Sequence, residues 1–422
     1  MEFNLAQVHE AVESAVPDRD CIVFRDRRLT YREVGDRTRR LADALRTRGL
    51  GNVIERDELA PHESGQDHLA VYLHNGNEYL ESMLGAYKAR LAPFNVNYRY
   101  VAEELRYLLA DADARAIVYH SAFAPVLAEV LPQLPGLRVL LQVGDGSGHE
   151  LLAGAEWYED ALADAAPELP DELVASWSPD DLYILYTGGT TGMPKGVLWR
   201  NADIFVGALG GRRLETDTEW DDLGQIVAHA AQGGARLLPG PPFMHGAAHW
   251  LAFNAFTNAN TLVLSGVGDH LDPTDVLRVV AAESVNVLLI VGDAFGRPLV
   301  EEIERSHHDL SSLLILISGG AALSPGIKER LLAAVPTMLV VDGLGASETG
   351  QQASQLTSAG QRATTGTFRP GPGMCVLSER LDRVLEPGHD ELGWLAQTGR
   401  VPLGYLGDPD KSARTFPLID GA

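Results

Sequence analysis

Five stretches between residues 181 and 341 are almost wholly apolar: DLYILYT (181–187), TLVLS (261–265), NVLLIV (286–291), LLILIS (313–318) and MLVV (338–341). A strand with one wet face alternates polar and apolar residues, and these runs leave no such face. They belong inside sheets covered on both sides, and helical patterns at about 274–284 and 323–335 supply covers. The first half repeats the arrangement. Thr30-Tyr-Arg-Glu33 has capping-box spacing, and Val34, Thr38, Leu41 and Leu45 follow at helical intervals up to Gly49. LAVYL (69–73) reads as a strand, and Leu80, Met83, Leu84, Tyr87 and Leu91 fall on one face of a helix over 77–91. APFNV, a helix over 102–111 and the strand AIVYH (116–120) continue the alternation. The pattern predicts an α/β fold with parallel or mixed sheets flanked by helices. From about 355, Gly, Pro, Thr and short alternating runs predict a compact, distorted β subdomain. The expected division is a first α/β lobe over 1–180, a second over 181–354, and the β subdomain over 355–422.

Charge removes several function classes. Asp and Glu outnumber Lys and Arg 58 to 34, a formal net charge of −24, which repels phosphate backbones and anionic lipid. No nucleic-acid partner is expected, and a polyanion could be held only locally, by aimed amides, a few cations and a metal. The two cysteines, Cys21 and Cys375, are too few for a disulfide framework and suit a reducing compartment. The opening MEFNLAQVHEAVESAVPDRD lacks a basic flank and apolar core, and no run approaches the ~18 apolar residues of a membrane span. A cytoplasmic protein without integral membrane association is expected. The polar stretches 51–68 and 214–222 read as solvated loops.

One loop carries chemistry on its face. DLYILYT runs directly into GGTTGMPKG. Gly188, Gly189 and Gly192 let backbone amides turn toward a ligand, Thr187, Thr190 and Thr191 offer hydroxyls, and Lys195 adds one positive charge. Together they match the oxygens of a polyphosphate. The order differs from G-x-x-x-x-G-K-[ST], because Pro194 precedes Lys195 and Gly196 follows it.

The stretch YTGGTTGMPKG closely resembles the signature of the adenylate-forming superfamily, which includes acyl-CoA synthetases, luciferases and peptide-synthetase adenylation domains. Gly188 stands where the usual form has Ser. Further blocks follow in order. GGAALSP (319–325) resembles the turn lining the adenine pocket, which implies nucleotide contacts at Gly319, Gly320 and Ala321. DGLGASETG (342–350) resembles the G-Y-G-x-T-E block. The resemblance implies nucleotide binding by Asp342, Gly343, Leu344, Gly345 and Ser347, and a magnesium-linked carboxylate at Glu348. Leu344 replaces the expected aromatic and cannot stack as a tyrosine would. ELGWLAQTGRVPLGYLGDPDKSARTF (391–416) and MLGAYKARLAPFNVNYR (83–99) resemble later and earlier blocks. The chain ends ahead of the superfamily's ribose-binding acidic motif, hinge and small C-terminal domain, so the large N-terminal domain alone is expected.

The resemblance implies a ligase that uses ATP, Mg²⁺ and coenzyme A to convert a hydrophobic carboxylic acid, a fatty acid or steroid side-chain acid, into its acyl-CoA. Lys195 and Thr190 would hold departing phosphates, Glu348 would hold the metal, and His245 matches the histidine near the acyl carboxylate. An acyl-AMP ligase serving a carrier protein is the alternative enzyme, and a nucleotide-binding domain with little turnover is the alternative of another class. A homodimer is left open. His245 and His249 have i,i+4 spacing, but Gly246 replaces the Glu of a metalloprotease and no third ligand stands nearby, which argues against zinc. His249, Trp250, Gly292 and Asp293 are candidates for the acyl pocket, with core roles for His249 and Trp250 as the competing expectation.

Overall fold

The apolar runs form the interiors of two large sheets. In the computed structural model, which describes residues 1–188, 192–213 and 216–419, the chain lays down nineteen strands among these residues. They are β1 (Asp20–Phe24), β2 (Arg27–Thr30), β3 (His68–Tyr72), β4 (Ala92–Asn95), β5 (Ala114–His120), β6 (Val139–Val143), β7 (Glu156–Trp157), β8 (Leu182–Thr187) and β9 (Lys195–Arg200). There follow β10 (Arg236–Pro239), β11 (Thr261–Leu264), β12 (Val287–Ile290), β13 (Ile315–Ser318), β14 (Leu339–Ala346), β15 (Gly350–Thr357), β16 (Arg369–Pro370), β17 (Met374–Ser378), β18 (Gly393–Gln397) and β19 (Gly404–Tyr405).

One sheet has nine strands in the order β16-β15-β14-β13-β12-β10-β11-β1-β2, parallel through its middle and antiparallel at both edges. The other has eight, β19-β9-β8-β4-β3-β5-β6-β7, with β8 parallel to β4 and antiparallel to β9. Strands β17 and β18 form a separate pair.

The helices Leu5–Ala15, Tyr31–Thr47, Asn77–Lys88 and Gly246–Thr257 fill the space between the two large sheets, sharing one apolar cluster with residues of both. Leu41, Leu80 and Leu84 are buried there, each contributing roughly 1.5–3 kcal/mol of transfer free energy. Thr30 and Glu33 form the expected capping box, Glu33 Oε2 accepting from Thr30 N at 2.7 Å and Thr30 Oγ1 from Glu33 N at 3.2 Å. The outer face of the nine-stranded sheet is covered by the helices Pro273–Ala282, Gly292–Arg305 and Pro325–Ala334. Helices Ala102–Asp111 and Ala124–Val130 cover the outer face of the other sheet. Because every strand in the middle of either sheet meets helices on both sides, continuous apolar runs are the sequence such strands require.

The sheets do not divide at residue 180. Strands β1 and β2 belong to the nine-stranded sheet, β8 and β9 complete the sheet of β3–β7, and the chain then returns to the first. Nor do residues 355–422 stay in one unit. The last three residues of β15 and all of β16 extend the nine-stranded sheet, β17 and β18 stand apart, β19 joins the eight-stranded one, and Pro409–Thr415 is a helix. Local patterns report which residues are strand, whereas sheet membership depends on pairings between distant segments. That is why lobes cut by sequence position miss the crossings.

Candidate active site

The hairpin of β8 and β9 carries the Gly-rich loop. Thr187 pairs with Lys195 at its mouth, so the lysine is the first residue of a strand whose next members, Gly196 to Trp199, are buried. Gly188 and Gly192 are exposed at the loop's two ends, and Gly189, Thr190 and Thr191 lie outside the described residues. The Lys195 ammonium contacts Asp408 Oδ2 and lies 6.0 Å from the ring centre of Tyr405. Lys195 pulls the Asp408 carboxyl below its ordinary range.

A second hairpin reaches the same place from the other sheet. Strands β14 and β15 are joined by Ser347, Glu348 and Thr349, and Gly345 faces Gly350 closely enough that a Cβ at 345 would fall 2.4 Å from the Gly350 carbonyl oxygen. Only glycine allows that approach. The tip is held by Trp199, whose indole N–H donates to the Ser347 carbonyl at 2.8 Å. Glu348 Oε1 accepts from the Tyr405 hydroxyl at 2.8 Å. Burial, reinforced by this carboxylate neighbour, pushes the phenol up to about 12, so it stays a donor through the neutral range.

Tyr405 and Asp408 therefore link the two groups of greatest interest, Lys195 and Glu348. Their segment is itself well anchored. Gly404 and Tyr405 pair with Leu198 and Val197 of β9, the Tyr405 N–H donates to Ser412 Oγ at 2.9 Å, and Arg400 bridges Glu2 at 2.6 Å, Glu219 at 2.9 Å and Asp203 at 3.1 Å. Within the 391–416 block the sequence does not mark these two side chains out. An aromatic after glycine and an aspartate before a Pro-led helix were the available signals.

The turn Gly319-Gly320-Ala321 leaves the C-terminal end of β13, next to the 342–345 segment, since Ser318 pairs with Asp342. Gly343 and Leu344 lie within β14 and are half-buried. Asp342 itself faces a fully buried lysine. Its carboxylate pairs with Lys328 Nζ at 2.6 Å, and Lys328 also donates to the Thr364 carbonyl at 2.6 Å. Burial raises the Asp342 carboxyl while Lys328 opposes that shift.

Asn95, at the end of β4, connects the Gly-rich hairpin to the PPFMH segment. Its amide donates to the carbonyls of Tyr186 and Met244 at 2.8 Å each, and its oxygen accepts from Tyr186 N at 2.8 Å. His245 follows Met244 as the exposed N-cap residue of its helix, while Gly246 lies against Leu185 of β8. His245 is thus brought to the base of the loop.

The pocket candidates are placed differently. His249 is buried in the core, its Nδ1 bonded to the Tyr183 hydroxyl at 2.9 Å and its Nε2 to the Tyr79 hydroxyl at 3.2 Å. Burial lowers its pKa to about 3, so the ring is neutral. Both nitrogens are occupied within the protein, as the core role requires. Trp250 is half-buried and packs against the same apolar cluster. Gly292 has φ +50°, and a Cβ there would fall 2.5 Å from the Ala322 carbonyl oxygen. Asp293 Oδ1 accepts from Ser324 N at 2.7 Å, and the Asp293 N–H donates to the Ala322 carbonyl at 3.1 Å. Residues 292–293 thereby brace the 319–324 turn against the start of the next helix.

The donor set at Glu348 suits a hard divalent cation. The carboxylate is half-exposed, and its second oxygen accepts from no protein donor among the described residues. One carboxylate with water and ligand oxygens is how Mg²⁺ is commonly held.

Several known proteins are similar to this chain over nearly its whole length. The medium-chain acyl-CoA ligase Mig of Mycobacterium avium is 53% identical over 99% of this chain and 76% of its own length. A medium/long-chain-fatty-acid–CoA/3-oxocholest-4-en-26-oate–CoA ligase of Mycobacterium marinum is 36% identical over 99% of this chain and 74% of its own. The crystal structure of the anthranilate CoA ligase AuaEII with anthranoyl-AMP superposes with a TM-score of 0.78 at 18% identity, covering 99% of this chain and 74% of that one, which speaks for the fold. No helix among the described residues is long and apolar enough to cross a membrane. The AMP-binding enzyme family description matches residues 9–400, and the chain belongs to that family.

Proposed function

We propose that this protein activates a hydrophobic carboxylic acid with ATP, as the first half of acyl-CoA synthesis. A carboxylate cannot expel oxide, so it needs a better leaving group before a thiol can displace it. The acid's oxygen attacks the α-phosphorus of ATP, a P–O bond forms, and pyrophosphate departs to leave an acyl-adenylate. The CoA thiol then attacks the acyl carbon, forming the thioester and releasing AMP.

The first step is mainly positioning and charge stabilisation. Lys195, with Thr190, Thr191 and the loop amides, would hold the β- and γ-phosphates as charge collects on them. Glu348 would hold a magnesium ion, which when bound offsets phosphate charge. The Gly319–Ala321 turn and the Gly343–Ser347 strand would take the nucleoside, and His245 would stand near the acid's carboxylate. The observation that carries this reading is the meeting of Lys195 and Glu348 from two different sheets, joined through Asp408 and Tyr405.

The 53% identical relative, by its name a medium-chain acyl-CoA ligase, supports a medium-chain fatty acid as substrate and CoA as acceptor. The 36% identical relative extends the candidates to long-chain and steroid side-chain acids. The acidic surface and the two free cysteines suit the cytosol. The test is to incubate the purified chain with MgATP and each acid of a graded panel, quench, and look for acyl-adenylate by mass spectrometry. Adenylate with one class of acid is expected. ATP consumed without any adenylate would contradict the reading.

A further inference from the structure

Two lysine–aspartate pairs lie close to the proposed nucleotide site, and they differ in kind. Lys328 and Asp342 have side-chain exposures of 0% and 9%, which marks a permanent pair. Lys195 and Asp408 have exposures of 35% and 32%. Water reaches both partners of the second pair, so it is held weakly and can be exchanged.

Asp408 divides its oxygens between two tasks. Oδ1 accepts from Lys411 N at 3.0 Å and caps the helix Pro409–Thr415, while Oδ2 meets the Lys195 ammonium. The cap needs only an acceptor atom. The charge faces Lys195 first, with Arg414 as a weaker electrostatic neighbour. A polyphosphate entering the Gly-rich loop would seek that same ammonium, so Asp408 and the phosphates compete for one cation.

We propose that Asp408 is the exchangeable counter-ion of Lys195. It holds the lysine when no polyphosphate is bound, yields it to the β- and γ-phosphates of ATP, and reclaims it as pyrophosphate leaves. This rests on the ligase reading above. The lysine never stands as an uncompensated cation beside the empty loop, and product release is aided by a carboxylate waiting within contact distance. No covalent step is involved.

The consequence has a definite sign. Asp408→Asn keeps a capping acceptor, because Asn is as good an N-cap as Asp, and removes the competing charge. MgATP and Mg-pyrophosphate should then bind more tightly, by about two- to fivefold, the range in which an exposed ion pair is worth breaking. A residue that merely supported the loop would give weaker binding on substitution.

Isothermal titration of MgATP and Mg-pyrophosphate into the whole chain tests this, using wild type, Asp408→Asn, Lys195→Ala and the double variant. Asp408→Ser, a second capping residue, replaces Asn if circular dichroism shows D408N misfolded. The expected result is a two- to fivefold lower Kd in D408N that disappears when Lys195 is absent, roughly as exposed pairs predict. An unchanged or higher Kd would overturn the assignment, as would the same gain in the Lys195→Ala background, which would mark a general effect of removing negative charge. Wild type that binds MgATP beside an unresponsive D408N rejects the Asp408 role alone. Wild type that binds no MgATP rejects the ligase reading and this inference with it.

Discussion

The Tyr405 hydroxyl donates to Glu348 Oε1 at 2.8 Å, joining the edge strand of the eight-stranded sheet to a hairpin tip of the nine-stranded one. Glu348 has no other protein donor among the described residues, so this bond sets which way the carboxylate faces. Tyr405→Phe keeps the ring, which packs 5.7 Å from Phe416, and removes only the donor. A hydrogen bond to a charged acceptor contributes about 1.5 kcal/mol at the low end of its range, suited to a half-exposed site, so kcat for adenylation should fall about tenfold. KM for ATP should move little, because Lys195 is untouched. Steady-state kinetics with varied ATP check both, and a large rise in KM at constant kcat would point to a different role.

Lys195 and Glu348 should matter to turnover far more than to folding. Both side chains are partly solvent-exposed, so Lys195→Ala and Glu348→Gln should each change unfolding free energy by less than about 1 kcal/mol. Adenylation should fall by about 10²-fold or more if these groups stabilise developing phosphate charge. Urea unfolding beside activity separates the two quantities. Equal losses in both would assign them to the scaffold.

Asp342 behaves in the opposite sense. Removing one member of a buried ion pair leaves the other uncompensated, at a cost of about 3–5 kcal/mol. Asp342→Ala strands Lys328 with only the Thr364 carbonyl, so a stability loss of about 3 kcal/mol or more is expected in urea unfolding. Replacing both residues by apolar side chains of similar volume should cost less than either single change. A loss under about 1 kcal/mol in Asp342→Ala would show that the pair is not buried as described.

His249 makes stability depend on pH. Its folded pKa is about 3 against an ordinary 6.5, so below pH 6.5 the unfolded chain binds a proton that the folded chain refuses. Stability therefore falls as pH drops from 6.5 toward 3, by up to about 1.4 kcal/mol per pH unit from this ring, and is unaffected above that window. His249→Gln should make the profile shallower, though not flat because the buried His9, His68 and His120 are shifted down too, so that the difference between wild type and variant shrinks by about 1.4 kcal/mol from pH 7.5 to 5.5. Parallel profiles for the two proteins would contradict the buried, neutral assignment.

Much of this was legible in the residues because strands buried on two faces and helices with one apolar face write their periods directly into the chain. The helix after Thr30 and the strand before the Gly-rich loop are examples. Strand β1 is hard to read locally because its partner β11 begins more than two hundred residues later, and β2, an edge strand of sequence RRLT, carries no apolar run. Lys195 and Glu348 were visible as motif members, yet their convergence depends on Tyr405 and Asp408, contributed by a third segment. His249 shows the converse difficulty. Its spacing from His245 suggested proximity, but only packing reveals that Tyr79 and Tyr183 occupy both ring nitrogens.

The most direct test of the central claim is acid-dependent exchange of labelled pyrophosphate into ATP by the purified chain, with Lys195→Ala alongside. Exchange requires reversible formation of an acyl-adenylate and nothing beyond it. The account predicts exchange by the wild-type chain that appears only when a hydrophobic acid is added, with a fall of about 10²-fold or more in the variant. Exchange that needs no acid, or that survives in Lys195→Ala, would contradict it.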